Sequence, residues 1–85
     1  MKIEETAKLM VSDDYKGRFK AEYHQLRIRY RKLFILLTKN RLGALGFKPD
    51  CPIDTLKEQL EAMRHYIAVL EERAIMENID LEADI

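Results

Sequence analysis

Two long stretches of the chain repeat apolar residues at steps of three and four. The first carries Tyr15, Phe19, Tyr23, Leu26, Tyr30, Leu33 and Leu37, the second Ile53, Leu56, Leu60, Met63, Ile67, Leu70 and Ala74. Residues so spaced fall on one side of an α-helix and give it a narrow apolar stripe. The pattern predicts one long helix over 14–41 and another over 52–77. Between them, residues 43–51 hold Gly43, Gly46 and Pro49, which no continuous helix accommodates. Leu45 and Phe47 in this connection are expected to fold back over the helix ends. Pro52 suits a first helical position. Upstream, Ile3, Ala7 and Met10 share a face and predict a short helix over 2–10. Ser12 or Asp13 then suits the N-cap of the long helix, since a short polar side chain can accept from unpaired amides. At the other end Asn78 can take a left-handed cap, and Ile79 and Leu81 can pack back from a tail over 78–85. The fold class is all-α: one domain over 1–85, a short N-terminal helix followed by a long antiparallel αα-hairpin.

Each helix would span roughly 40 Å at 1.5 Å per residue. A second apolar set lies off the stripes: Ile28, Phe34 and Ile35 on the first helix, and Ala62, Tyr66, Val69 and Met76 on the second. A lone hairpin leaves these in water, and a single core in so short a chain is marginal. The expectation is a homo-oligomeric helical bundle whose interface uses the second faces.

Composition narrows the classes. Of 85 residues, 47% are hydrophobic and only three are Gly and two Pro, too apolar for disorder and too poor in turn-formers for a β-sandwich. The longest apolar run, Leu33 to Leu37, is far shorter than the roughly 20 residues of a membrane span. Met1-Lys2-Ile3-Glu4-Glu5 carries acids where a signal peptide would be apolar, so a cytoplasmic protein is expected. Cys51 is the sole cysteine, which excludes an internal disulfide or a cysteine-based zinc site.

The formal net charge is zero, but it is unevenly spread. Residues 13–42 hold nine Lys and Arg against Asp13, Asp14 and Glu22, a balance of +6; residues 52–85 hold nine acids against Lys57, Arg64 and Arg73, a balance of −6. Such helices attract one another, which accounts for many of these charges. Lys20, His24, Arg27 and Arg31, however, stack at i, i+4, i+7 and i+11 with no acid between them, beside Tyr23 and Tyr30. Like charges at that spacing repel. The stripe therefore suggests an anion, either a neighbouring subunit's carboxylates or phosphates, which arginine forks suit; tyrosine rings can stack on bases. The acidic helix argues against a nucleic-acid partner, and no DNA-binding motif is present.

Catalytic patterns are poorly served. Glu58-x-x-Glu61 and Glu77-x-x-Asp80 fit the E-x-x-E … E-x-x-D pattern and resemble the all-α, magnesium-dependent nucleoside triphosphate pyrophosphohydrolases. Both halves lie on one predicted helix, where Glu61 and Glu77 would stand about 24 Å apart. No Gly-rich phosphate loop, nucleophile elbow or paired Glu-x-x-His is found.

The run Asp14-Tyr15-x-x-Arg18-Phe19-x-x-Glu22-Tyr23-x-x-Leu26, followed by Cys51-Pro52-x-x-x-Leu56-x-x-Gln59-Leu60-x-x-Met63-x-x-Tyr66-x-x-Val69-Leu70-x-x-Arg73-Ala74, resembles a family of very small phage and prophage proteins first catalogued among crAss-like phages. The architecture is similar to the helical-hairpin sponges with which phages sequester cyclic oligonucleotides or cyclic ADP-ribose derivatives between protomers. These likenesses imply a non-enzymatic, phage-encoded anti-defence oligomer in the bacterial cytoplasm. It would hold an anionic nucleotide-type signal between subunits, with no metal or cofactor. Candidate ligand-binding residues are Arg18, Lys20, Arg27 and Arg31 for phosphates, and Tyr15 and Tyr23 for stacking or edge contacts. The alternative is a module that inhibits a host protein through an exposed apolar helix face.

Overall fold

The computed structural model describes residues 14–82, and the predicted helix over 2–10 lies outside them. Two antiparallel helices, α1 (Tyr15–Arg41) and α2 (Ile53–Met76), pack side by side as a hairpin. The longest dimension is 42 Å, as expected for a helix of 27 residues.

The N-cap of α1 is Asp14 rather than Ser12 or Asp13. Its backbone is extended, and its carboxylate accepts from the amides of Lys16 and Gly17, each at 3.2 Å. Gly17 permits this approach, because a Cβ there would sit 3.1 Å from Asp14 Oδ2. Both helices end in the same device. At the end of α1, Gly43 takes φ 72°, its amide reaches the Asn40 carbonyl, and Ala44 donates to Lys39 at 2.8 Å. At the end of α2, Asn78 takes φ 56°, its amide reaches Ile75, and Ile79 donates to Ala74 at 2.8 Å. These are Schellman closures, in which a left-handed residue turns the chain so that two orphan carbonyls are satisfied. Pro52 is the N-cap of α2, not its first helical residue: its ψ of 143° is extended, and it offers no side-chain cap.

The core sits at the open end of the hairpin. Phe19 and Tyr23 from the start of α1 meet Leu70 and Ala74 from the end of α2, and Ile79 closes over them, with Leu26, Ile67 and Leu81 partly buried around the cluster. Towards the connection, Leu33, Leu37, Leu56 and Leu60 keep to the stripe but are only half-buried. The returning tail supplies a third layer at one end; among the described residues nothing supplies one at the other. For the same reason Phe47 does not cap the helix ends. It is 60% exposed, above a shallow hollow shared with Pro49, Cys51 and Ile53. The second apolar set stands in solvent at Phe34, Ile35, Tyr66 and Met76. No described helix is long and apolar enough to cross a membrane.

Candidate functional site

Three tyrosine hydroxyls reach across the hairpin to carboxylates of the opposite side. Tyr15 donates to Glu77 at 2.6 Å, Tyr23 donates to Glu71 at 2.7 Å, and Tyr66 donates to Glu22. Two of these oxygens also accept from arginine: Tyr15 from Arg73 at 2.9 Å and Tyr23 from Arg27 at 3.1 Å. The ion pairs Arg64–Glu61 and Arg73–Glu77 both lie along the acidic side of the hairpin. Hydrogen bonds to the neighbouring carboxylates push the hydroxyls of Tyr15 and Tyr66 above the usual tyrosine range; burial does most of this for Tyr23. Glu77 is held below the ordinary carboxylate range, chiefly by the hydrogen bond from Tyr15 and then by Arg73.

These contacts frame a cleft of about 500 Å³ on one flank of the hairpin. Phe19 and Leu26 form its floor, Tyr15 closes one end, and Tyr66 and Arg73 stand on the α2 side. The α1 wall is Arg18, Glu22, Gln25 and Arg29, spaced i, i+4, i+7 and i+11. Arg73 has three partners: its guanidinium lies 5.0 Å over the Phe19 ring while bonded to Tyr15 and, at 3.1 Å, to Glu77. Three guanidiniums thus surround an apolar floor with the single Glu22 carboxylate among them. The volume suits a small ligand. Chemically the cleft offers arginine forks for phosphates and aromatic surface for a base or sugar.

The structure does not bring the sequence-predicted residues together. Tyr15 and Arg18 line this cleft. Arg27 and Arg31 lie in another hollow, of about 390 Å³, with His24, Ile28 and Lys32. Tyr23, only 1% exposed, belongs to the core, so its ring is not presented for stacking; Arg27 lies against it, 5.7 Å from its centroid. Lys20 is half-buried and lines neither hollow. His24 donates from Nε2 to the Leu81 carbonyl at 3.0 Å, tying the tail to α1. The stripe of Lys20, His24, Arg27 and Arg31 has a twin two residues earlier, Arg18, Glu22, Gln25 and Arg29, and the twin borders the cleft. The signal for Arg29 was therefore present, but only the side on which α2 packs makes it visible. Tyr66 and Arg73 carried no separate signal; they read as members of the interface set and of the charge balance. The acids of the pyrophosphohydrolase-like pattern are engaged apart, Glu61 with Arg64 and Glu77 with Tyr15 and Arg73, and no three described His, Cys, Asp or Glu side chains gather to hold a metal.

Residues 13–76 match the family model described as Sequestin. The chain is a member of the Sequestin family. The matched span takes in both helices and every residue that lines the cleft, from Tyr15 to Arg73, so the cleft lies within the Sequestin portion of the chain. No curated protein and no solved structure matches the chain.

Proposed function

We propose that the chain is a non-enzymatic sequestering protein that binds an anionic nucleotide-type small molecule, in the cleft between α1 and α2. The observation that carries this reading is that three arginines, Arg18, Arg29 and Arg73, line one cleft together with Phe19 and Leu26, in a volume that fits such a ligand. The family name, Sequestin, speaks of sequestration and supports the same reading. The fixed arginine and tyrosine network favours retention, because groups held in place before binding lose little entropy when a ligand arrives. The finer reading is a cyclic nucleotide or cyclic ADP-ribose-type immune signal, held between subunits of a homo-oligomer. The chain would then be a phage-encoded protein acting in the cytoplasm of the infected bacterium to blunt its defence.

Thermal shift followed by calorimetry tests this with cyclic dinucleotides, cyclic trinucleotides and cyclic ADP-ribose isomers. At least one class is expected to bind and to be recovered chemically unchanged after the protein is denatured. Arg29→Ala should weaken that binding by about tenfold to a hundredfold, the loss of one charge-assisted contact. The same substitution should leave thermal stability within about 0.5 kcal/mol, because Arg29 is exposed. Absence of binding across the panel at saturating concentration, or recovery of a cleaved product, overturns the reading.

A further inference from the structure

Each helix carries a second seam, narrower than its core stripe. On α1 and its cap the seam is Ile28, Ile35 and Leu42, seven residues apart and turned away from the Phe19, Tyr23 and Leu26 side. Ile35 is 41% and Leu42 66% exposed. On α2 the seam is Ala62, Val69 and Met76, again seven apart, and Met76 is 79% exposed. A seven-residue repeat is the spacing by which one helix lies along another. The flanks differ in sign. Arg31, Lys32 and Lys39 stand exposed beside the α1 seam, and Glu58 and Glu72 stand exposed beside the α2 seam.

We infer that these seams are the two halves of one self-association surface, on which α1 of one copy docks against α2 of a second copy. Pairing α1 with α1 would bring Arg31, Lys32 and Lys39 against their own kind, and pairing α2 with α2 would do the same for Glu58 and Glu72. Only the crossed pairing buries both seams and sets a basic flank of α1 against the acidic edge that carries Glu58 and Glu72. The contact is heterologous, because the α1 seam points away from α2, so repetition builds a closed ring or an open array rather than a simple two-fold dimer. Tyr66 and Arg73 border the α2 seam on its cleft side, each three residues before Val69 or Met76. Docking therefore lays one basic flank of the second copy's α1, either Arg31 or Lys32 with Lys39, along the rim of the cleft. In this way the assembly would reunite the two basic groups that a single chain keeps apart. This last consequence rests on the sequestering reading; the docking does not.

Sedimentation velocity on the full chain, across micromolar concentrations and at low and high salt, tests the surface. The wild type should assemble, and salt should weaken the assembly. Arg31→Glu with Lys32→Glu, or Glu58→Lys with Glu72→Lys, should raise the dissociation constant at least about tenfold, and all four changes together should bring it back towards the wild-type value. Ile35→Gln, which leaves the core untouched, should dissociate the assembly without reducing helicity by circular dichroism. A monomeric wild type at the highest concentration overturns the proposal, as does failure of the fourfold variant to recover while its helicity is normal. The ligand panel is run on the same variants. Charge-swap recovery without any nucleotide binding leaves the docking standing and the sequestering reading fallen. Nucleotide binding by a wild type that remains monomeric does the reverse.

Discussion

A few single residues decide where the chain turns and what the turns hold. Asn78 is the sharpest case. Its φ of 56° lies in the left-handed region, which costs an ordinary L-residue about 1–2 kcal/mol and asparagine less. The turn brings the Ile79 amide to Ala74 and delivers the Ile79 side chain, 6% exposed, onto Phe19 and Tyr23. Asn78→Gly should therefore be neutral or stabilising by a few tenths of a kcal/mol, whereas Asn78→Ala should cost about 1 kcal/mol. Urea denaturation followed by circular dichroism distinguishes them, and equal destabilisation by both would show that the asparagine amide, not the backbone angle, matters. Gly43 makes the same turn at the end of α1 without an equivalent reward, because Ala44 brings no large side chain back to the helices.

At the scale of the helices, apolar spacing marks both stripes and the Gly, Pro and Asn signals mark their ends; the helices run Tyr15–Arg41 and Ile53–Met76. Spacing does not say how deeply each stripe is covered. Leu60 and Leu70 are equivalent members of one repeat, yet Leu70 is fully buried and Leu60 only half-buried, because Ile79 and Leu81 return over one end alone. The cleft was hidden for a related reason. Arg18 and Tyr15 could be named from their residue types, but Arg29, Tyr66 and Arg73 become a site only once the hairpin's handedness puts one flank of α1 beside one flank of α2. Burial has a measurable consequence. Leu70→Ala should cost about 2–5 kcal/mol, the range for truncating a buried leucine, and Leu60→Ala about 1 kcal/mol or less. Chemical denaturation at low protein concentration gives the comparison. Equal losses would mean that the connection end is covered as fully as the open end under those conditions.

For the molecule as a whole, the net charge of zero conceals opposed helices, and the structure joins those helices at the open end by neutral hydroxyls bonded to carboxylates. This makes stability depend on pH at both extremes. Tyr15, Tyr23 and Tyr66 all titrate above 10.0 in the folded chain, so each holds its proton more tightly folded than unfolded. Their contribution is complete below pH 10 and is lost as pH rises from there through the folded values. Glu77 behaves oppositely. Its folded value lies below 4.5, so its contribution is complete above that pH and falls away as the carboxylate is protonated. The urea midpoint should therefore form a plateau between about pH 5 and pH 10 and decline on both sides. Single substitutions separate the limbs. Tyr23→Phe should flatten the alkaline decline most, since Tyr23 alone of the three is buried, and should leave the acid limb in place. Tyr15→Phe should act on both limbs, because it removes one alkaline contribution and also the main bond that keeps Glu77 ionised, which brings the folded value back towards 4.5 and makes the acid decline shallower. An acid limb unmoved by Tyr15→Phe would mean that Arg73 alone holds Glu77. The end wall of the cleft would then be an ion pair with a tyrosine leaning on it rather than a three-membered unit.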